Sequence, residues 1–331
     1  MWTDGALMMQ VDSSVQVEFE TPKSYSGNSF PRIASFDYLR LFAMILVTLQ
    51  HGMAVAGYYE QTTWRNISLG QAGVGLFCAL SGYLAFFGNG APAISWLKKR
   101  LWQVYPAYWI TTVAAFILTW ATGTKHVDIW LFVSQMAGTG YFTHGWELVN
   151  VVSWFITLLL LCYVIAFVGK WLGMPQLILV IAAITALCLL ATRSEISLSR
   201  HIMTFSVAGL IAQACPRPLA MLSIVACLFG AALVWPPSFY AAFSIAFLAL
   251  ALGWHTTELK LIRIASGYIY QYFLVHGIFL VALARFIPHQ KLLSGVTAIT
   301  LAIIAAIILK KLTERLVAWA RQYNSNKAAI F

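Results

Sequence analysis

The stretch SFDYLRLFAMILVTLQHGM, residues 35–53, decides the fold class and raises the question of function. Its middle is a continuous apolar run, and runs of this kind cross a bilayer as helices. Yet Asp37 and Arg40 stand at one end, and Gln50 and His51 lie where a membrane span is normally apolar. Polar and ionisable groups at membrane depth are costly and are functional candidates. This stretch therefore predicts a membrane helix that carries part of a polar site.

The whole chain has the composition of a membrane protein. Of its 331 residues, 60% are hydrophobic and 10% are charged, whereas soluble domains carry about 25% charged residues. The mean hydropathy is +0.78. A net charge of +10 could indicate nucleic-acid binding, but the basic residues cluster at the ends of apolar runs, as orientation signals do. The five cysteines lie in apolar runs without metal-type spacing, so we expect core residues and no metal site.

Ten apolar runs predict an all-α polytopic membrane protein with about ten transmembrane helices. The runs are 36–57, 70–89, 101–121, 148–169, 175–192, 199–215, 218–235, 237–254, 263–286 and 292–317. The stretch 128–143 is shorter and more polar, which indicates a re-entrant or interfacial segment. With both termini cytoplasmic, ten spans place 15 of the 21 Lys and Arg residues inside and 6 outside. An eleventh span at 128–143 would remove this positive-inside bias.

The ends of the chain differ from its middle. Residues 1–31 are polar and predict a mobile cytoplasmic tail, with no cleaved signal peptide. Residues 32–317 then form the membrane domain, and residues 318–331 form a cytoplasmic C-terminal tail. We expect the protein in the bacterial cytoplasmic (inner) membrane, with the lipid bilayer as its surroundings and no nucleic-acid partner.

The polar residues of the first run share one face of a helix. Arg40 and His51 are eleven residues apart, which is three turns plus about 20°, or about 16 Å along the axis. Asp37 lies one turn before Arg40. The pattern predicts an anion-binding group near the cytoplasm and a titratable group deeper in the membrane. In the alternative, Arg40 reaches the interface and His51 hydrogen-bonds a neighbouring helix.

Further candidates lie in the second and third runs. Lys99 and Arg100 stand at the cytoplasmic interface, where cations suit a phosphate-bearing ligand or lipid head groups. Ser81 in GQAGVGLFCALSGYLAFF, residues 70–87, could be a nucleophile. A packing hydroxyl is the alternative, and this run has no Asp or Glu to complete a triad.

Two more candidates lie in the fourth and ninth runs. Trp154 opens the fourth run, and His276 lies at depth in the ninth. His51 and His276 could also be axial haem ligands. Proteins that bind haem through two histidines usually show more such pairs.

Five stretches, taken in order, resemble the membrane acyltransferase-3 family. They are FDYLRLFAMILVTLQH (36–51), GVGLFCALSGYLAF (73–86), KKRLWQVYPAYW (98–109), SWFITLLLLCY (153–163) and YIYQYFLVHGIF (268–279). The resemblance implies transfer of an acyl group, most often acetyl, from cytosolic acyl-CoA to a hydroxyl of a glycan or lipid-linked sugar.

The resemblance also implies roles for the candidates. His51 would be the catalytic base, with Asp37 in the catalytic group, and Arg40, Lys99, Arg100 and Gln103 would bind the donor. Many family members have Arg at the position of Gln103 and Glu at that of Leu159. No permanently bound cofactor is implied, since acyl-CoA is a substrate. The alternative function is a carrier or flippase for a glycan precursor, although the sequence shows no inverted repeat.

Overall fold

The computed structural model describes residues 33–64, 67–87, 92–214, 218–254, 256–286 and 289–328. The predicted tail at residues 1–31 therefore lies outside the described residues. The thirteen α-helices of the described residues are α1 (Ala34–Val55), α2 (Leu69–Phe86), α3 (Ala93–Thr122), α4 (Ile129–Met136), α5 (Gly140–His144), α6 (Ser153–Trp171), α7 (Pro175–Ala191), α8 (Ser199–Ala214), α9 (Pro218–Val234), α10 (Phe239–Gly253), α11 (Lys260–Ser266), α12 (Ile269–Phe286) and α13 (Lys291–Ala328). A two-residue antiparallel ladder pairs β1 (Thr63–Trp64) with β2 (Ile67–Ser68).

The helices confirm an all-α polytopic membrane protein. Six of them are long and apolar enough to cross a membrane, or seven if the bent pair α11 and α12 is one span, within the described residues. α7 and part of α9 are shorter apolar helices. The count of ten spans stays a prediction. Ile303, Ile304 and Ile308 of α13 are about half exposed, as expected of side chains that face lipid.

The bundle has two ends, which we name by the residues they hold. The near end holds Asp37, Arg40 and Arg100, and there the Ser35 hydroxyl donates to the Ala251 carbonyl at 2.5 Å. The far end holds Ser68, whose backbone N–H donates to the Tyr240 hydroxyl at 3.0 Å. These bonds join the start of α1 to the end of α10 and the start of α2 to the start of α10. Each end is therefore tied by polar contacts between helices that are distant in sequence.

Helix α2 lies at the centre of the bundle, where small residues let its neighbours approach. A Cβ added at Gly73 would meet the Ala43 carbonyl of α1, and one added at Gly82 would meet the Phe205 carbonyl of α8. Both contacts are too short for any larger residue. Close backbone approach of this kind strengthens packing between membrane helices, and it holds α1 in place beside α2.

The segment 128–143 enters the bundle from the far end and does not cross it. Asp128 caps α4 by accepting from the Leu131 N–H at 2.7 Å. The last carbonyls of α4 reach the middle of α3, where Tyr105 donates to Ala137 at 2.8 Å and Trp109 donates to Met136 at 2.9 Å. These bonds satisfy backbone groups that lipid could not. The aromatic residues of α3 thus support a re-entrant segment as well as facing the membrane.

The ninth predicted span is broken near the near end. α11 and α12 meet at an angle of 58°, and Gly267 lies in the break. The carbonyl of Gly267 accepts from Lys310 Nζ at 3.0 Å. A Cβ at Gly267 would lie 3.0 Å from that nitrogen, so the close approach of Lys310 favours glycine here.

Helix α13 is longer than predicted. The sequence placed its end at residue 317 and a tail after it, but the helix continues to Ala328. The predicted C-terminal tail therefore begins as a helical extension of the membrane domain. Its side chains from 323 onward are outside the described part of the structure.

Candidate functional site

A cavity of about 350 Å³ opens at the near end of the bundle. We call it the near cavity. Its lining includes Arg40, Ser81, Arg100, Gln103, Leu159 and Gln271. The cavity thus brings together four of the predicted site residues, from α1, α2 and α3. Its lining includes two guanidinium groups and no carboxylate, so its charge favours an anionic ligand.

Asp37 holds Arg40 at this cavity. Arg40 Nη1 donates to Asp37 Oδ1 at 2.8 Å, and the Ser266 hydroxyl donates to the same oxygen at 2.7 Å. The Asp37 side chain is 2% exposed and that of Arg40 is 32% exposed. A buried carboxylate needs such partners. Asp37 therefore orients Arg40 and ties α1 to the break between α11 and α12.

Arg100 and Lys170 lie against the same aromatic ring at the near end. The Arg100 guanidinium lies 5.7 Å from the centre of the Trp96 ring, and Lys170 Nζ also lies 5.7 Å from it. Lys170 Nζ is 5.4 Å from the Phe86 ring as well. Neither cation has an ion pair with a carboxylate of the described residues. Two half-buried positive charges without a counter-ion repel each other, and an anionic ligand would relieve that repulsion.

An aromatic layer closes the inner end of the near cavity. It consists of Phe77, Phe155 and Phe273, which all line the cavity. The rings of Phe155 and Phe273 are 4.7 Å apart between centres, and Phe77 is 6.4 Å from each. Behind the layer, His276 lies 5.5 Å from the Phe273 ring. The layer therefore separates the cationic cavity from the buried histidines.

The two histidines of α1 and α12 are in direct contact. His51 Nδ1 and His276 Nε2 are 2.9 Å apart, and the rings stack at 5.1 Å between centres. His276 is fully buried and Nδ1 of its ring lies 2.7 Å from the Phe273 carbonyl oxygen. The direct contact leaves no space for a haem iron between the rings, so the haem alternative does not fit.

These contacts determine which nitrogens carry protons. A carbonyl oxygen can only accept, so His276 Nδ1 carries a hydrogen and donates to Phe273. In the neutral ring the other nitrogen, Nε2, then accepts. His51 must donate to it from Nδ1, which leaves the lone pair on His51 Nε2. That nitrogen has no hydrogen-bond partner among the described residues, so it is placed to take a proton from a ligand.

His51 lines a second cavity, of about 590 Å³, at the far end. We call it the far cavity. Asn150 lines it too, is 1% exposed, and its side-chain Nδ2 has no hydrogen-bond partner within the described part of the chain. Thr119, Thr122 and Arg285 add further polar groups to its wall. A nearly buried amide without a partner is costly, and a polar ligand would supply the missing hydrogen bonds.

The loop beside the far cavity is held by an ion pair. Lys125 Nζ lies 2.7 Å from Glu147 Oε2, and this hydrogen bond lowers the pKa of the Glu147 carboxyl. Lys125 follows Thr124 of the cavity wall, and Glu147 precedes Asn150. The pair therefore connects two segments that border the cavity.

The comparison with known families decides the class of protein. A family model described as an acyltransferase domain matches residues 33–311. The chain belongs to the acyltransferase-3 family. This confirms the resemblance seen in the five stretches and shows a membrane acyltransferase in general terms. No curated protein and no solved structure gives a significant match.

The departures from the family pattern have structural consequences at the near cavity. Gln103, where many members of the acyltransferase-3 family have Arg, accepts from Arg100 Nη1 at 3.4 Å. Lys170 belongs to α6, and it places a second cation next to Arg100 of α3 at the Trp96 ring. Lys170 was not predicted as a site residue, because its only signal in the sequence is a position at the end of an apolar run. Leu159 makes the inner wall apolar where many members have Glu.

Two predicted site residues, Lys99 and Trp154, line neither cavity, and a third, Asp37, lies far from His51. Lys99 is exposed and does not line the near cavity. Trp154 packs between Trp146 and the buried His201 and lines neither cavity. Asp37, predicted in the catalytic group with His51, is fourteen residues before it, about 21 Å along α1, and contacts Arg40 and Ser266. Its catalytic role stays a prediction.

Proposed function

We propose that the protein transfers an acyl group, in the first instance acetyl, from cytosolic acyl-CoA to a hydroxyl of a glycan or lipid-linked sugar. The observation that carries the proposal is the contact of His51 Nδ1 with His276 Nε2 at 2.9 Å, next to that of His276 Nδ1 with the Phe273 carbonyl at 2.7 Å. It leaves a lone pair on His51 Nε2, in the wall of the cavity that also holds the unpartnered Asn150 Nδ2. The membrane of action is the bacterial cytoplasmic membrane, with the near end on the cytoplasmic side.

The near cavity suits the donor. Its volume is at the lower end of the ligand pockets of roughly 300–1,000 Å³ found in proteins, so it fits a thioester arm and not a whole nucleotide. The phosphates would stay at its mouth, with Arg40, Arg100 and Lys170. Charge-assisted hydrogen bonds from guanidinium groups are the strongest contacts that proteins make with phosphate.

The chemical step is a nucleophilic substitution at the thioester. His51 Nε2 removes the proton of the acceptor hydroxyl as the oxygen attacks the thioester carbonyl carbon. The carbon–sulfur bond then breaks, and the CoA thiolate takes up the proton from the His51 imidazolium. The products are the ester and free CoA, and no oxidant or other co-reactant is needed. A positioned general base contributes about 10²–10⁴-fold to such a step.

His276 and Asp37 act through other residues in this proposal. The His276 ring accepts from His51 Nδ1, and this hydrogen bond becomes charge-assisted when His51 takes up a proton. Asp37 orients Arg40 toward the donor. Ser81 and Gln103 line the donor cavity as polar contacts, and Ser81 has no carboxylate–histidine pair nearby that would make it a nucleophile.

In this proposal the aromatic layer determines when the acyl group of the bound donor can reach His51. The acyl group must pass Phe155 and Phe273 to reach His51, so the layer must open when the donor binds. A closed layer keeps the thioester apart from His51, the base that could activate a water molecule, until then.

Calorimetric titration with acetyl-CoA and with CoA tests the donor. The purified protein should bind both ligands, and Arg100→Ala should weaken both, because the nucleotide is common to them. Lys99→Ala is the matched control, since Lys99 is exposed outside the cavity. A carrier or flippase would bind neither ligand, and that result would refute the proposed function.

A further inference from the structure

An apolar groove on the surface of the bundle shares part of its wall with the far cavity. The groove has a volume of about 520 Å³ and lies between α3, α12 and α13. It shares Ala115, Leu118, Ile278 and Ala282 with the wall of the far cavity. The one hydroxyl in the groove wall, that of Thr111, is used within α3 by a bond to the Ala107 carbonyl at 3.0 Å. The groove therefore offers a ligand apolar contact only.

The groove runs from the middle of the bundle toward the far end, so a lipid chain could lie along it. Along α3 it extends from Ile110 to Leu118, about 12 Å of helix axis from the middle of the bundle toward the far end. Ile308 and Leu312 of α13 form part of its other wall and are about half exposed. A chain that lies in the groove would thus have its tail at the middle of the membrane and its head at the far surface.

Polar groups gather where that head would lie. Arg285 lines the far cavity, is exposed, and has no ion pair with the described residues. It follows His276 by nine residues on α12, about 13 Å along the axis. Asn150 lies deeper on the cavity wall with its unpartnered amide. A cation at the surface and an amide near His51 fit a phosphate and a sugar hydroxyl, in that order from the surface inward.

We propose that the acceptor is a lipid-phosphate-linked sugar that enters from the bilayer, with its apolar chain in the groove, its phosphate at Arg285 and its sugar between Asn150 and His51. The role of the sugar as acyl acceptor rests on the proposed function. The lipid-binding site itself does not. The wall that the groove shares with the far cavity, together with Arg285 and Asn150, carries the rest. A soluble glycan would use the far cavity but would leave the groove to bulk lipid.

Photo-crosslinking tests the site without any acyl donor. The protein is placed in phosphatidylcholine nanodiscs with a photoreactive farnesyl phosphate, and labelled peptides are mapped by mass spectrometry. Labels should lie on α3 at 110–118 and on α13 at 301–312. Ala114→Trp, which fills the groove from the lipid side, and Arg285→Gln should each reduce labelling at least fivefold. The matched controls Ala231→Trp and Arg193→Gln, which are exposed and outside the groove, should not.

A competition experiment on the unaltered protein removes any dependence on the folding of the variants. Unlabelled farnesyl phosphate should compete at least tenfold more strongly than farnesol, since Arg285 recognises the phosphate. Uniform labelling of all lipid-facing helices, or equal competition by the two compounds, would show bulk lipid only and overturn the inference. Specific labelling together with failure to bind CoA would refute the proposed function and leave the lipid site standing.

Discussion

Replacement of His276 by alanine tests the role of the histidine pair in the most informative way. The 2.9 Å hydrogen bond from His51 Nδ1 to His276 Nε2 is neutral in the resting protein and charge-assisted when His51 holds the acceptor proton. Neutral hydrogen bonds contribute about 0.5–1.5 kcal/mol and those to charged groups about 1.5–3 kcal/mol. Only the gain on protonation, about 1–1.5 kcal/mol, lowers the barrier. At about 1.4 kcal/mol per tenfold change in rate, His276→Ala should lower kcat about 5- to 12-fold.

The assay follows radiolabelled acetyl transfer from acetyl-CoA into the acceptor of the native membrane fraction. The KM for acetyl-CoA should stay unchanged, because His276 lies behind the aromatic layer and does not line the near cavity. His276→Gln retains an oxygen that can accept from His51, so it should restore part of the rate. His51→Ala should lose more than either variant. A His276→Ala enzyme with the parent kcat, or one in which only KM changes, would refute the reasoning.

Three further predictions concern the near cavity. Lys170→Met should weaken CoA binding about tenfold, the loss of one charge-assisted contact, whereas Lys99→Met should not; equal calorimetric dissociation constants for the two variants would contradict this. Phe273→Ala should raise the release of free thiol from acetyl-CoA without acceptor several-fold, because the thioester then reaches His51, which can activate water in place of the acceptor hydroxyl. The control Phe243→Ala removes an aromatic contact outside the cavity and should have no such effect; if both variants hydrolyse equally, the layer is not the barrier. Asp37→Ala leaves Arg40, which is about one-third exposed, and the Ser266 hydroxyl without their shared acceptor and should cost about 1–3 kcal/mol of stability, seen as a lower Tm; an unchanged Tm would argue against the orienting role.

The sequence predicted the parts of the fold that depend on local pattern. Apolar runs located the helices, and the distribution of Lys and Arg argued that 128–143 does not span. The structure places that segment as a re-entrant piece, held by Tyr105 and Trp109. The break at Gly267 was not predicted, because the apolar run continues through it. It depends on Lys310 and on Ser266 meeting Asp37, contacts that join distant parts of the chain.

In the candidate site, too, the features set by local sequence pattern were predicted, and those that depend on contacts between distant parts of the chain were not. Helical spacing put Arg40 and His51 on one face of α1, but it could not show that they open into different cavities. That separation comes from Phe155 and Phe273, which belong to helices far away in sequence. Asn150 was missed for the same reason, since a lone amide in a polar loop has no pattern. Its signal is the unpartnered, nearly buried side chain, which only packing reveals.

In the proposed mechanism His51 takes the acceptor proton while the donor is held separately at the near end. Acetyl transfer and CoA binding should therefore be compared for His51→Ala in one preparation of proteoliposomes. Transfer should fall to background while the dissociation constant for CoA stays at the parent value. Transfer at the parent rate in His51→Ala would contradict this mechanism.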